Sequence, residues 1–230
     1  MQTNDTKNSF RPDPMRRRLF RGAAGGIGVL LTVQAKTALG NTANCISPSA
    51  KMSGNQSHQH DTSSCSGGRS PGFWVQPQHS QYWSPDYVFP TFDVQVEPCT
   101  SGVSDLQKAN IINQGSLLST FFTGAPSVGM WYALAFPTDT STFGTQERGQ
   151  LLRHLSAALL NAAEFSNYPI TKLQVQEMWN ELQNGGIYCP GPEVGGACGT
   201  NGMTRNEVVA YIEGMYGINS EVVNLCKKNP

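Results

Sequence analysis

The chain has 230 residues and a formal net charge of zero, with 16 basic and 16 acidic side chains. The two signs are unevenly placed, because seven of the basic residues but only two of the acidic ones lie in the first 40 residues. The rest of the chain therefore carries 9 basic and 14 acidic side chains, a formal net charge of −5. This charge excludes a basic stripe for nucleic acid and disfavours binding to an anionic membrane surface.

The first 40 residues predict an export signal. Arg16, Arg17 and Arg18 precede a Leu-Phe pair, and a weakly hydrophobic, glycine-rich run follows over 22–35. This order is typical of a twin-arginine signal peptide, with cleavage expected after Gly40. The run is too short for a permanent membrane span, which needs roughly 17–25 apolar residues. We therefore expect a bacterial protein that the twin-arginine translocase exports to the periplasm or the medium, and residues 1–40 are then removed.

Residues 41–100 predict an irregular segment. They are rich in Ser, Gly, Pro, Asn and Gln, and their prolines recur too often for a long helix. A dense group of aromatic residues lies over 73–92. Trp74, Trp83 and Tyr87 are candidates for a surface that binds an extracellular protein or carbohydrate, since aromatic rings are enriched at interfaces. The alternative is that these rings cover the apolar faces of the helices that follow.

Residues 101–230 predict a helical domain, which forms one globular unit with the preceding segment. The spacing of apolar residues predicts helices over 104–122, where Gly115 is a weak point, and over 128–136, a short buried run. The strongest helical pattern covers 146–165 and is rich in alanine and leucine. The predicted fold class is therefore mainly α, a helical domain wrapped by an irregular, disulfide-linked N-terminal segment.

Two later helices carry a recognisable start signal. Thr171 with Gln174 and Thr204 with Glu207 each have the spacing of a capping box, in which two side chains satisfy the first backbone amides of a helix. Apolar residues at helical spacing follow both pairs, and a glycine that can end the helix follows each pattern. A short last helix is expected over 220–226.

The part of the chain beyond residue 40 contains six cysteines: Cys45, Cys65, Cys99, Cys189, Cys198 and Cys226. An even number of cysteines in an oxidising compartment predicts disulfides, although the sequence leaves their pairing open. No Cys-x-x-Cys is present, which argues against a redox motif or an ordinary zinc site.

Two segments resemble parts of certain secreted bacterial modules. The first is SPGFW over 70–74, with Trp83 nine residues beyond its tryptophan; the second is LLRHLSAALLNA over 151–162, followed by a Tyr-Pro turn. The modules have Lys-Asn-His after their tryptophan, where this chain has Val-Gln-Pro over 75–77. The resemblance extends over about 65–185. It implies the extent of the domain and its secretion, and it implies no catalytic role.

Histidines give the best candidates for a metal site. His58 and His60 alternate in sequence before Asp61, and His79 lies further on, so imidazoles and a carboxylate together would suit zinc or copper. The alternative is a solvated polar loop. His154 lies beside the apolar stripe of the strongest helix and is predicted to be a packed histidine.

The sequence therefore predicts an exported, non-catalytic binding or structural domain, with no cofactor and no nucleic-acid partner. No Gly-x-Ser-x-Gly element and no phosphate-binding loop are present in the chain. The alternative is a small metal- or cofactor-dependent exported enzyme, since folded export is used for proteins that are loaded with a cofactor in the cytoplasm.

Overall fold

The computed structural model describes residues 46–52, 67–91, 105–190 and 202–216. These residues form nine α-helices, one 3-10 helix and three isolated β-bridges, and they contain no β-strand. The helices are α1 (Pro48–Met52), α2 (Pro71–Trp74), the 3-10 helix (Pro77–Tyr82), α3 (Asp105–Ile111), α4 (Leu118–Phe121), α5 (Met130–Ala135), α6 (Thr140–Phe143), α7 (Gln146–Glu164), α8 (Lys172–Leu182) and α9 (Arg205–Glu213). The predicted mainly α class is confirmed for this part of the chain.

Helix α7 is the centre of the fold. It runs for 19 residues and contacts α2, α5, α6, α8 and α9. Thr145 caps it, since its hydroxyl accepts a hydrogen bond from the amide of Arg148 at 3.2 Å. Its leucine and alanine side chains from Leu151 to Leu160 are buried on almost every side, because neighbouring helices cover more than one of its faces. The helix predicted over 146–165 is confirmed.

The two predicted capping boxes are present. The Thr171 hydroxyl accepts from the amide of Gln174 at 3.2 Å, and the Gln174 side chain accepts from the Thr171 amide at 2.9 Å. Thr204 and Glu207 make the same reciprocal pair at the start of α9. Each cap stabilises its helix by about 1 kcal/mol. Local sequence was sufficient here because the partners are three residues apart.

The helix predicted over 104–122 is interrupted. The chain turns at Gly115, where φ is +74°, and α3 and α4 are separate helices. A Cβ at this position would lie 2.6 Å from the carbonyl oxygen of Val88, so only glycine lets the two backbones approach. Ser116 donates its amide to that oxygen at 3.0 Å, and its hydroxyl accepts from the Val88 amide at 2.7 Å. This contact of Gly115 and Ser116 with Val88 therefore interrupts the helix that the sequence predicts.

The short buried helix predicted over 128–136 is confirmed as α5. All six of its residues are buried, and Trp131 donates its indole N–H to the carbonyl oxygen of Val75 at 3.0 Å. This bond fixes the backbone that follows α2 against the helical core.

Among the predicted disulfide cysteines, Cys189 lies within the described residues. The other five, Cys45, Cys65, Cys99, Cys198 and Cys226, lie outside them. The pairing and the disulfide-linked N-terminal segment therefore stay predictions. The predicted signal at Arg16, Arg17 and Arg18 and the predicted helix over 220–226 also lie outside the described residues. Within these residues no helix is both long enough and apolar enough to cross a membrane.

Candidate functional site

The aromatic residues proposed for an exposed surface lie in the core. Trp74 is 0 % exposed, Trp83 is 7 % exposed and Tyr87 is 5 % exposed. Trp83 donates its indole N–H to the Trp74 carbonyl oxygen at 3.2 Å, and the Tyr87 ring packs 4.9 Å from that of Phe121. These three residues do not form the predicted binding surface, because their rings are packed against other residues of the core. The rings instead cover the apolar faces of the helices, which was the alternative interpretation of the sequence.

Trp74 also takes part in a polar cluster around Asn161, a buried residue near the end of α7. The Asn161 Oδ1 atom accepts from the indole N–H of Trp74 at 3.2 Å and from the amide of Arg69 at 2.8 Å. Its Nδ2 atom donates to the Arg69 carbonyl oxygen at 3.0 Å. We call this cluster (Arg69, Trp74 and Asn161) the Asn161 junction. It joins the two segments that carry the resemblance to secreted modules, 70–74 and 151–162.

The side chain of Arg69 is held by aromatic rings. Its guanidinium lies 4.1 Å from the ring centroid of Tyr82, 4.3 Å from that of Phe73 and 5.0 Å from that of Phe165. The Glu164 carboxylate lies 3.7 Å from its Nη1 atom. This arrangement neutralises and covers the charge, so Arg69 holds the N-terminal segment on α7. Sequence reasoning missed it, because the rings come from three separate elements.

The three predicted metal ligands are not brought together by the described residues. The Nδ1 atom of His79 lies 2.9 Å from the Phe73 carbonyl oxygen, and its ring stacks on that of Phe73 at 3.7 Å. His58 and His60 lie outside the described residues. Within the residues described, no three metal-ligating side chains form a group that could hold an ion. A site formed by His58, His60 and His79 stays a prediction.

His154 is a packed histidine, as predicted. Its Nδ1 atom lies 3.1 Å from the Tyr216 hydroxyl, and its Nε2 atom lies 3.4 Å from a carboxylate oxygen of Glu213. Burial and the neighbouring Arg153 cation lower the pKa of His154 to about 4. The imidazole is therefore neutral at neutral pH and connects α7 to the end of α9.

A cleft of about 620 Å³ lies beside α7. Its floor is apolar and buried, from Val75, Leu134, Ala135, Phe136 and Pro137. Its rim is polar, from Lys108, Thr138, Asp139, Thr140, Ser141, Gln150 and Arg153. Gly72 completes the wall, and a Cβ there would meet only the Ser70 hydroxyl, at 3.7 Å. We call this site, with the floor, rim and wall residues just named, the α7 cleft.

Asp139 is the acidic residue of the rim, and its two oxygens are already occupied. One accepts from the amide of Ser141 at 3.1 Å and from the Ser141 hydroxyl. The other accepts from the Tyr132 hydroxyl at 2.6 Å and the Thr142 hydroxyl at 2.8 Å. Burial opposes ionisation, but hydrogen bonds from Ser141, Tyr132 and Thr142 outweigh it and lower the pKa of Asp139 to about 2. Asp139 is therefore a stable anion that caps α6.

The cations of the rim are Arg153 and Lys108. Within the described residues the Arg153 guanidinium makes no hydrogen bond and no ion pair. Burial lowers the pKa of Arg153, and attraction to Tyr216 and Glu213 partly offsets this effect. The guanidinium remains protonated in any case. The Lys108 ammonium lies 5.7 Å from the ring centroid of Phe136.

One feature of the sequence points to this site. Arg153 interrupts a long apolar run and has buried neighbours, Leu152 and His154, on both sides. A cation in such a position needs either an internal partner or an opening to solvent. The opening itself comes from the loop between α5 and α6, which has no periodicity to predict it.

Comparison with known proteins finds no relative: no family model, no curated protein and no solved structure matches the chain. The resemblance to secreted bacterial modules stays an expectation. Inference about function therefore rests on the site itself.

Proposed function

We propose that the chain is an exported, non-catalytic binding protein and that the α7 cleft is its ligand site. The observation that carries this proposal is the meeting of a buried apolar floor with a partly exposed polar rim. Small-molecule sites combine these two features and have volumes of roughly 300–1,000 Å³. The cleft lies within that range at about 620 Å³. Its lining comes from helices α2, α3, α5, α6 and α7, from Val75 after α2 and from the loop between α5 and α6.

The chemistry of the rim supports binding rather than catalysis. The cleft lining contains no histidine and no cysteine. Its carboxylate, Asp139, is a poor general base, because a pKa of about 2 leaves little affinity for a proton at neutral pH. The Ser141 hydroxyl already donates to that carboxylate, and no second base lies in the lining to activate it as a nucleophile.

Export to the periplasm or medium is part of the same proposal and has its own test. Replacement of Arg16, Arg17 and Arg18 by lysine keeps the charge and removes the guanidinium groups that a twin-arginine signal requires. We expect the triple variant to accumulate in the cytoplasm, whereas replacement of Lys7 by arginine leaves export unchanged. Export of the triple variant at the normal level contradicts this part of the proposal.

Ligand binding is tested by amide chemical shifts of the protein purified after export. A panel of small neutral and charged organic fragments should include members that shift the amides of 134–141 and 150–153. Gly72→Leu fills the cleft and should abolish those shifts, while Gly72→Ala adds one methyl group and should preserve them. The proposal fails if no fragment perturbs the cleft, or if Gly72→Leu binds as the natural protein does.

The alternative of a metal-dependent enzyme depends on His58 and His60, which lie outside the described residues. Elemental analysis of the same purified protein tests it directly. One bound zinc or copper ion per chain would support the alternative.

A further inference from the structure

We propose that the contact between α7 and the end of α9 is an acid-sensitive switch, which opens locally when the His154 imidazole gains a proton. We call this contact (His154, Glu213 and Tyr216) the α7–α9 joint, and the stretch that it releases is 213–216. The rest of the fold stays in place when the joint opens. The inference goes beyond the proposed function, because it does not depend on a ligand in the α7 cleft.

The joint is built around a buried imidazole. His154 is 6 % exposed, its Nδ1 atom lies 3.1 Å from the Tyr216 hydroxyl, and its Nε2 atom lies 3.4 Å from a carboxylate oxygen of Glu213. Both ring nitrogens therefore face the end of α9. A neutral imidazole has one nitrogen that accepts a hydrogen bond and one that donates, which matches a hydroxyl on one side and a carboxylate on the other.

Protonation of the ring brings a second cation to a place that holds one carboxylate. Within the described residues, the charged and titratable groups that face the imidazole are Arg153 on α7 and Glu213 and Tyr216 at the end of α9. Glu213 already attracts the Arg153 guanidinium. The Glu213 side chain is 55 % exposed, so water weakens its attraction to both cations, whereas the enclosed ring loses its hydration. Burial and the Arg153 cation therefore keep the pKa of His154 low, at about 4.

The start of α9 is held by hydrogen bonds that involve no histidine. Arg205 donates to the carbonyl oxygens of Leu182 and Gln183, each at 2.7 Å. The backbones of Tyr188 and Met203 exchange two hydrogen bonds, at 2.8 and 2.9 Å. These bonds connect the start of the helix to α8 and to the residues that follow α8. The two ends of α9 are therefore fixed by different contacts, and only the end of the helix depends on His154.

The end of α9 is also bonded to the segment that precedes α2. The Gly68 amide donates to the Met215 carbonyl oxygen at 3.0 Å, and the Met215 side chain is 1 % exposed. Burial of this side chain favours the closed joint at neutral pH. Opening of the joint breaks the hydrogen bond from Gly68, so we expect residue 68 and the end of α9 to open together.

Acid favours the open joint. The ring meets water there and regains a pKa near 6.5, so the open joint binds the proton more tightly than the closed joint does. Opening therefore becomes more favourable as the pH falls from about 6.5 towards about 4. Between about pH 7.5 and about pH 5, the equilibrium constant for opening should rise roughly tenfold or more.

Amide hydrogen exchange of the exported protein, with its disulfides intact, tests this opening. The reporting amides are those of 68 and 214–216, and the reference amides are those of Tyr188 and Met203. After correction for the intrinsic effect of pH on exchange, the reporting amides should exchange roughly tenfold or more faster at about pH 5 than at about pH 7.5. Low concentrations of urea should leave their rates unchanged, because a local opening exposes little surface. The reference amides should exchange through a larger unfolding and respond to urea.

Three variants assign the effect to the joint. His154→Gln removes the titrating ring and should abolish the response of the reporting amides to pH. Arg153→Gln removes the neighbouring cation, so Glu213 can balance the protonated ring, and the response should become smaller. His79→Gln is the matched control, since it removes a histidine whose ring packs on Phe73, and it should keep the full response. The amide spectrum of each variant shows whether it is folded.

Several results overturn the inference. A response to pH that is absent from the natural protein, or unchanged in His154→Gln, would show that the ring does not control the joint. Slower exchange in acid would mean that Glu213 pairs with the protonated ring and closes the joint. Reporting amides that follow the reference amides in their response to urea would make the effect of acid a global loss of stability. A pKa of His154 above 6.5, measured by the chemical shifts of its ring, would also contradict the proposal.

Discussion

Helix α7 carries two polar residues whose surroundings differ, Asn161 near its end and Arg153 near its middle, about 12 Å apart along the axis. The amide of Asn161 is 0 % exposed and bonds the backbone of Arg69 and the indole of Trp74. Arg153 lines the α7 cleft, and its guanidinium makes no hydrogen bond within the described residues but is attracted to Tyr216 and Glu213. A polar group that serves the fold is paired internally, because an unpaired buried group costs about 1–3 kcal/mol. Arg153 is instead balanced by neighbouring charges, which fix its position less strictly than hydrogen bonds fix that of Asn161.

The largest expected effect comes from breaking the Asn161 junction. Asn161→Ala leaves the Arg69 amide, the Arg69 carbonyl and the Trp74 indole without their partner, so the free energy of unfolding should fall by about 4 kcal/mol. Denaturant unfolding of the oxidised protein measures it. The control is Asn180→Ala on the exposed face of α8, which should change stability by less than about 0.5 kcal/mol. Equal effects of the two substitutions would contradict the role of the junction.

Acidification should produce the next largest effect, through His154. Its pKa is about 4 in the folded protein and near 6.5 in an unfolded chain. Between these values the unfolded chain binds more protons, so stability is full above pH 6.5 and falls as the pH drops through this window. The full loss is about 3 kcal/mol. Arg153 on the same helix and Tyr216 and Glu213 near the end of α9 are the groups that face the imidazole.

His154→Gln removes the titrating group and should flatten this pH dependence, as measured by the unfolding midpoint in denaturant over the same range. A slope that is unchanged in His154→Gln would mean that other groups cause the loss.

Substitutions at two glycines, Gly149 on α7 and Gly72 in the wall of the cleft, should differ by a smaller amount. A Cβ at Gly149 would lie 1.9 Å from the Pro137 carbonyl oxygen, so Gly149→Ala must push α7 away from the cleft loop. We expect it to destabilise by about 2 kcal/mol. Gly72→Ala meets no close atom and should change stability by less than about 0.5 kcal/mol. Thermal unfolding of both variants checks this, and equal melting temperatures would contradict the packing described at Gly149.

The smallest effect on stability should come from Arg153, the second of the two polar residues of α7 compared above. Arg153→Gln should change the free energy of unfolding by less than about 0.5 kcal/mol, because no internal hydrogen bond is lost. Denaturant unfolding measures this change beside that of Asn161→Ala. A loss comparable with that of Asn161→Ala would show that Arg153 holds the fold as strongly as Asn161 does.

The sequence predicted those features whose causes lie within a few residues. The caps at Thr171 and Thr204, the Leu/Ala pattern of α7 and the burial of His154 are of this kind. The break at Gly115 depends on the carbonyl of Val88, and the Asn161 junction depends on residues 92 positions apart in the chain. Local patterns cannot encode such contacts. The same reason hid the α7 cleft, whose lining comes from four separate stretches of the chain (72–75, 108, 134–141 and 150–153), and left open whether Trp74 is exposed or packed.

The most direct test of the central claim is the set of amide chemical shifts that small organic fragments cause in the natural protein and in Gly72→Leu. We predict that fragments shift the amides of 134–141 and 150–153 in the natural protein and in Gly72→Ala, and that Gly72→Leu abolishes those shifts. Shifts that lie outside the cleft, or shifts of the same size in Gly72→Leu, would contradict the assignment of the α7 cleft as the ligand site.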